Sequence, residues 1–184
     1  MIKFYKTEAI VLGRKNIGEA DKIVTLLTKF YGKRRVMAKG IRRIHSRRAP
    51  HLEPFSQIYV VIRRGKAFEY ITEVTTLYNF SQIRKELWRT AYAYQVLELT
   101  NAILAENETN QIAYELLGKF LTQLNDISLS SAVFEQTLHE YKVRLLQNLG
   151  FLVKDKQYRG EDIDKYLENL MERKLKSTRL LTNI

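Results

Sequence analysis

Apolar residues in the first 80 positions recur with the short spacing of β-strands. Five segments combine β-branched or aromatic residues with alternating polar ones, and glycines separate several of them. No helix-length period lies between these segments. Five short strands within residues 7–76 therefore predict a small β-barrel, and the OB-fold is the leading candidate on strand count and size. The predicted strands are residues 9–12, 23–27, 36–38, 58–62 and 68–74.

A tight turn is predicted between the last two of these strands. Residues 63–66 read Arg-Arg-Gly-Lys and separate two runs of strand-forming residues. Tight turns often need a residue at positive φ, which glycine adopts without steric cost. We therefore expect a β-hairpin with Gly65 at a positive φ.

From Ser81 onward the apolar positions recur every three or four residues, which is typical of amphipathic helices. One helix is expected over residues 81–104 with Ser81 as its N-cap, and a second over residues 111–124. A third opens at Ser130 or Ser131 and closes at Gly150, a residue favoured just past helix ends. A weaker fourth is expected over 162–176. The predicted fold class is α+β, with an OB-fold barrel over residues 1–78 and a helical bundle over 79–184.

The net charge of +11 is confined to the predicted barrel. Up to Phe80 there are 17 basic and 6 acidic residues, whereas the rest of the chain has 14 of each. Between Asp21 and Glu53 there is no acidic residue, and ten cations repel one another unless a polyanion lies among them. Nucleic acid is favoured over a merely solvated face because the imbalance belongs to one domain. The ten are Lys22, Lys29, Lys33, Arg34, Arg35, Lys39, Arg42, Arg43, Arg47 and Arg48.

Periodicity divides this basic tract in two. Residues 33–39 are expected on a strand, where alternate side chains share a face, and residues 42–48 in a mobile loop. A basic strand and loop would hold a phosphate backbone without reading bases, so binding should be independent of sequence and strongly dependent on salt. Phe30 and Tyr31 adjoin the tract and are candidates for stacking on unpaired bases. Packing in the core is at least as good an interpretation of either ring.

Enzymatic chemistry has little support in the sequence. There is no cysteine, and the three histidines lack metal-ligand spacing. No P-loop or Gly-x-Gly-x-x-Gly pattern occurs, and the acidic residues at 106, 108, 161, 162 and 164 lie near predicted helix starts, where they favour the helix dipole. We expect no catalytic residue, metal or cofactor. Neither a signal peptide nor a membrane-spanning run is apparent, so a cytoplasmic location without membrane contact is expected.

Several linked motifs in the predicted barrel resemble the bacterial RecO family of DNA repair proteins. They are Ile17-Gly18-Glu19-Ala20-Asp21-Lys22-Ile23-Val24-Thr25-Leu26-Leu27-Thr28, Tyr31-Gly32-Lys33, Met37-Ala38-Lys39-Gly40-Ile41-Arg42-Arg43 and Leu52-Glu53-Pro54-Phe55. The helical half is similar to the same family more loosely, mainly through residues 141–151. Many family members carry a four-cysteine zinc site soon after the segment that corresponds to residues 141–151. This chain has no cysteine with which to build one.

This resemblance implies a non-enzymatic recombination mediator with an OB barrel followed by a helical domain. Such proteins bind single- and double-stranded DNA, anneal complementary strands, and act with RecR in loading RecA. They also contact the acidic C-terminal tail of the single-stranded DNA-binding protein, for which Arg84, Arg89, Lys142 and Arg144 are available cations. The implied location is the cytoplasm, at the nucleoid during repair. Lys33, Lys39, Arg42 and Arg43 stand at the family's basic positions; Arg34, Arg35, Arg47 and Arg48 are added on charge alone.

Two other functions remain open from the sequence. The same cations would serve RNA, so an RNA- or ribosome-associated barrel with a helical docking domain is the main alternative. A nuclease that holds a metal on Glu19 and Asp21 is disfavoured, because these carboxylates are equally suited to capping or to pairing with Lys22.

Overall fold

The computed structural model describes residues 3–154 and 156–172. They form two compact units. The described residues of Met1–Asn79 and Leu104–Tyr114 make up one, the barrel unit; those of Phe80–Ile103 and Glu115–Ile184 make up the other, the helical unit. This partition differs from the predicted boundary at residue 78, because the segment 104–114 groups with the strands. Within that segment, Asn107 donates its backbone N–H to the carbonyl of Lys33 at 2.9 Å.

The barrel unit is a closed five-stranded barrel in the order β1-β2-β3-β5-β4. All neighbours are antiparallel except β3 and β5, which run parallel where the barrel closes. This is the topology of an OB-fold, as predicted. The strands are β1 (Phe4–Ile17), β2 (Asp21–Thr28), β3 (Gly32–Ala38), β4 (Gln57–Arg64) and β5 (Glu69–Tyr78).

Strand β1 is much longer than the predicted residues 9–12. Its first half pairs with β4 and its second half with β2, and the register shifts between Val11 and Gly13. The shift is a bulge that lets one strand bend and serve both partners. The interior is filled by aliphatic residues from every strand, among them Val24, Val36 and Ile62, each fully buried. The apolar pattern did not reveal the C-terminal end of β1 because Arg14, Lys15 and Asn16 are polar and exposed.

The expected hairpin joins β4 to β5, but the predicted positive φ at Gly65 is wrong. Gly65 is not among the residues at positive φ. It is needed for space, since a Cβ there would lie 2.5 Å from the carbonyl oxygen of Phe68 and 2.7 Å from the ring of Tyr70. The Gly65 N–H donates to that same Phe68 carbonyl at 2.9 Å.

The helical unit is built on an aromatic core. Phe134 lies at its centre, with ring centroids 5.5 Å from Trp88, 6.1 Å from Tyr92 and 6.2 Å from Phe120. Such tilted and edge-on contacts add to the free energy of burial. The helices are α1 (Leu87–Ile103), α2 (Gln111–Leu124), α3 (Ser131–Asn148) and α4 (Gly160–Met171). None of the helices in the described part of the chain has the length and apolar character needed to cross a membrane.

The predicted start of α1 at Ser81 is wrong. Residues Ile83–Lys85 form a short 3-10 turn, and Glu86 is extended, with φ −126° and ψ 133°. The first intrahelical bond of α1 runs from Thr90 N–H to the Glu86 carbonyl at 3.1 Å. The apolar spacing of Ile83 and Leu87 continues across this break, so periodicity alone could not reveal it.

The other predicted helix boundaries fare better. The α2 bounds are those predicted, α3 begins after Ser130, and Gly150 lies just past α3 at φ +79°. Glu161 and Asp162 occupy the first turn of α4, where carboxylates favour the helix dipole. The predicted end of this last helix at Lys176 lies outside the described residues.

Candidate nucleic-acid interface

The loop that follows β3 surrounds an open concavity of about 740 Å³ on the barrel unit. We call it the barrel concavity. All its lining residues except Asp21 come from the β3–β4 loop, and most are basic. Of the eight predicted phosphate contacts, four lie here and four do not. The lining residues are Asp21, Lys39, Gly40, Arg43, His45, Ser46, Arg47 and Arg48.

Two backbone N–H groups hold the start of this loop against the β1–β2 turn and the first residue of β2. The Gly40 N–H donates to the carboxylate of Asp21 at 2.7 Å, and the Arg42 N–H to the carbonyl of Ala20 at 2.9 Å. Further along, the Ser46 N–H donates to the Arg43 carbonyl at 3.0 Å. Asp21, which the nuclease hypothesis treats as a metal ligand, therefore anchors the loop.

Arg48 holds the far side of the loop. Its guanidinium donates to the carbonyl of Ile71 on β5 and to the carbonyl of Lys39, both at 2.7 Å. A planar guanidinium with five donors suits this bridge between two acceptors. Arg42 similarly donates from its side chain to the carbonyl of Gly18 at 3.1 Å. These two predicted contacts therefore bind the protein's own backbone.

Three cations of the concavity remain available to a ligand. The side chains of Lys39, Arg43 and Arg47 are exposed and make no hydrogen bond or ion pair with any residue in 3–154 or 156–172. The Lys39 ammonium lies 4.9 Å from the ring centroid of Tyr70, and the Arg63 guanidinium lies 5.1 Å from the same ring. Cation–π contacts of this kind are worth only about 1 kcal/mol on a surface, so both cations stay free to bind an anion.

The sequence alone did not indicate a role for Tyr70 or Arg63. They stand opposite each other on β5 and β4 beside the hairpin. The signal available was the aromatic residue at position 70 within an alternating strand that follows Arg63 and Arg64. Only the register of the hairpin shows that these groups meet.

The three predicted cations on β3 do not line the concavity. Lys33 is buried, with 7% of its surface exposed. Burial lowers the pKa of Lys33, the charge of Arg35 lowers it further, and the carboxylate of Glu106 partly opposes both. Arg34 donates to the Tyr31 carbonyl at 2.8 Å and to the Asn107 side chain at 2.6 Å. Arg35 is half-exposed and lies 3.7 Å from Glu106.

The two aromatic candidates have different environments. The Tyr31 ring packs on Tyr5, with centroids 4.4 Å apart, at the edge of the barrel core. Phe30 is 54% exposed, and the ammonium of Lys29 lies 5.5 Å from its ring centroid. An exposed ring beside a cation is the arrangement that base stacking uses in single-strand binding. Phe30 thus has the accessible ring of the pair.

The carboxylates do not form a metal site in the described residues. Glu19 is exposed on the β1–β2 turn, and Asp21 is engaged with Gly40. Across residues 3–154 and 156–172, no three histidine, aspartate or glutamate side chains converge as ligands.

Comparison with known proteins gives a consistent result. The model of the family described as "Recombination protein O N terminal" matches residues 1–80, and that described as "Recombination protein O C terminal" matches residues 84–154. Together they take in the five strands and the first three helices.

Curated proteins named "DNA repair protein RecO" are similar over most of the chain. The protein of Roseiflexus sp. (strain RS-1) is 36% identical over 149 residues, which is 81% of this chain and 51% of the relative. That of Thermoanaerobacter sp. (strain X514) is 34% identical over 82% of this chain and 60% of the relative. That of Symbiobacterium thermophilum is 34% identical over 80% and 57%. The chain therefore spans between half and three fifths of the length of these relatives.

Proposed function

The chain belongs to the RecO family of DNA repair proteins, and from that premise we propose that its barrel binds the phosphate backbone of single- and double-stranded DNA. The observation that carries this proposal is the barrel concavity with its three available cations. Lys39, Arg43 and Arg47 line one open surface, and none of them forms an ion pair with a described residue. A polyanion lowers their mutual repulsion and releases its own counterions on binding.

The residues of the basic tract divide into contacts and supports. Lys39, Arg43 and Arg47 contact phosphates directly, while Arg42 and Arg48 hold the loop that carries them. Phe30 is the candidate for stacking on an unpaired base. Arg35 adds a peripheral positive charge. Lys33, which is buried, and Arg34, which donates to the Tyr31 carbonyl, support the barrel unit.

Binding of this kind is independent of sequence. Flexible side chains that meet phosphates fix a strand without reading base edges, since the base edges carry the sequence information. Annealing needs two polyanions brought together, and a dense cationic surface reduces the repulsion between them. The chain therefore acts as a recombination mediator and not as an enzyme. From the family, we expect the chain to work with RecR and with the acidic tail of the single-stranded DNA-binding protein. We also expect it to assist in loading RecA in the cytoplasm.

Fluorescence anisotropy with labelled oligonucleotides tests the proposal. Two unrelated single strands of equal length should bind within about twofold of each other, and affinity should fall linearly with the logarithm of salt concentration. A length-matched RNA competitor should displace the DNA no better than unlabelled DNA does. A strong preference for RNA, or affinity that ignores salt, would contradict the proposal. An annealing assay with and without the single-stranded DNA-binding protein then tests the mediator role.

A further inference from the structure

The helical unit contains a separate cavity of about 520 Å³ among α1, α3 and α4. We call it the helical cavity. One wall is aromatic: the rings of Trp88 and Tyr92 both line it and meet edge to face, with centroids 6.2 Å apart. Its volume is within the range of small-molecule and side-chain binding sites. Nothing in the proposed DNA contacts of the barrel uses it.

Two buried polar atoms belonging to the cavity-lining residues have no hydrogen-bond partner in the described part of the chain. They are Oε1 of Gln95 on α1 and Nδ1 of His139 on α3. Gln95 as a whole is only 4% exposed. An unsatisfied buried acceptor costs about 1–3 kcal/mol, so native proteins rarely keep one without a reason. An N–H donor in the cavity would satisfy Gln95 Oε1.

The charges around the cavity favour a cation. Three carboxylates line it, those of Glu135, Glu161 and Asp164, against the single ammonium of Lys142. That ammonium is buried and already bonded to Asp164 at 2.6 Å. Glu135 and Glu161 are left without an ion pair among residues 3–154 and 156–172. The negative charge of Glu135 adds to burial in raising the pKa of the Tyr92 hydroxyl, which indicates that this carboxylate acts on the aromatic wall.

We propose that the helical cavity binds an alkyl guanidinium, the chemistry of an arginine side chain, against Trp88 and Tyr92 and between Glu135 and Glu161. A guanidinium is planar, stacks on aromatic faces and presents five donors. It can therefore meet the Gln95 acceptor and a carboxylate at once. An ammonium is a compact, strongly hydrated point charge and matches a flat wall less well. An acidic peptide would face the unpaired carboxylates and is disfavoured.

The tryptophan content makes the test direct. The chain has one tryptophan, and it lines the cavity, so its fluorescence reports on occupancy without a label. The probes are N-acetylarginine amide, its uncharged isostere N-acetylcitrulline amide, N-acetyllysine amide and spermidine, each titrated into the full chain. The arginine derivative should give a saturable change with a dissociation constant of about 1 mM or tighter, as expected for a ligand of this size. Citrulline should be at least about tenfold weaker.

Variants distinguish binding in the helical cavity from a non-specific effect of the added compound on tryptophan fluorescence. Glu135→Gln with Glu161→Gln should weaken the arginine derivative about tenfold or more, whereas Glu168→Gln, an exposed carboxylate of α4 that lines no described cavity, should not. The three substitutions are on the surface, and thermal melts check that folding is retained. Equal responses to arginine and citrulline in the unmodified chain would overturn the proposal, as would unchanged affinity in the double variant. Spermidine or lysine binding more tightly than arginine would overturn the guanidinium assignment.

Discussion

The barrel concavity and the helical cavity are similar in size and opposite in charge. The first, at about 740 Å³, is open and lined mainly by basic side chains of a loop, three of which have no hydrogen-bond or ion-pair partner among the described residues. The second, at about 520 Å³, has an aromatic wall, three carboxylates and two buried polar atoms without partners in the described residues. We therefore expect the two sites to select ligands of opposite charge. They also differ in kind, because exposed cations suit a long polyanion, whereas a cavity with buried acceptors suits a single group.

This contrast shows what net charge reveals and what it hides. The excess in the first 80 residues points directly to the barrel concavity. The second half of the chain has 14 basic and 14 acidic residues, so its net charge of zero does not indicate a charged binding site. Its local imbalance appears only when α3 and α4 bring Glu135 and Glu161 to the same cavity.

Charge reversal at the barrel concavity should have the largest effect. Arg43→Glu with Arg47→Glu should weaken single-stranded DNA binding roughly 100-fold at about 0.1 M salt, because two phosphate contacts are lost and replaced by repulsion. Anisotropy titrations measure this. The arginine derivative should still bind the helical cavity with unchanged affinity.

A variant with the same net charge is the control for this reversal. Lys119→Glu with Lys165→Glu alters exposed cations of the helical unit and should weaken DNA binding less than about fivefold. If both double variants lose DNA equally, total charge and not the barrel concavity governs binding, and the assignment fails.

Arg48→Lys tests whether Arg48 acts by holding the β3–β4 loop in place. Lysine keeps the positive charge but cannot bridge the carbonyls of Ile71 and Lys39 as the guanidinium does. DNA affinity should fall about fivefold because the loop must be ordered on binding. The salt dependence of affinity should stay parallel to that of the unmodified chain. Wild-type affinity in this variant would show that the charge of Arg48 matters and its bridge does not.

Lys142→Met should sharpen the charge selectivity of the helical cavity. Removing the only ammonium among the described lining residues leaves the carboxylates less compensated, so the arginine derivative should bind about threefold tighter in the tryptophan titration. Arg144→Met is the matched control, because Arg144 is an exposed cation of the same helix that does not line this cavity. Weaker binding in Lys142→Met would contradict the charge argument.

Lys33→Met should have the smallest effect on DNA, below about twofold, because Lys33 is buried away from the concavity. Its consequence lies in stability. Since the pKa of Lys33 is lowered from its ordinary value of 10.5, the unfolded chain holds this proton more tightly, and the unmodified protein gains stability as the pH rises towards that value. The variant should therefore be the more stable one near neutrality, with the gain shrinking at alkaline pH in thermal melts. A several-fold loss of DNA affinity in this variant would contradict the prediction and indicate that Lys33 contributes to DNA binding.

The sequence predicted elements where period and packing agree. The α2 bounds, the caps of α3 and the number of strands follow from apolar spacing and from Gly150. It failed where geometry overrides spacing. The extended backbone of Glu86 interrupts a continuous apolar period. Gly65 is needed because Phe68 and Tyr70 approach its backbone closely, and no sequence pattern predicts that contact. The parallel pairing of β3 with β5 comes from barrel closure and has no local signal.

For the site, the sequence located the segment but not the roles within it. A run of cations can be recognised from the sequence. The carbonyls of Gly18 and Ile71, to which Arg42 and Arg48 donate, are distant in the chain and cannot be identified from it. Tyr70 joins Lys39 only through the barrel register. The helical cavity was missed for the same reason, since Gln95 and His139 are far apart in the chain and neither belongs to a motif.

The salt dependence of DNA binding tests the central claim most directly. The slope of log affinity against log salt is measured for the unmodified chain and for Lys39→Ala with Arg43→Ala and Arg47→Ala, beside a control that replaces three exposed cations of the helical unit, Lys119, Arg144 and Lys165. Each phosphate contact contributes about 0.7 to the slope for a single strand, so the barrel variant should be shallower by about 2 and the control unchanged. Parallel slopes for the unmodified chain and the barrel variant would contradict the account.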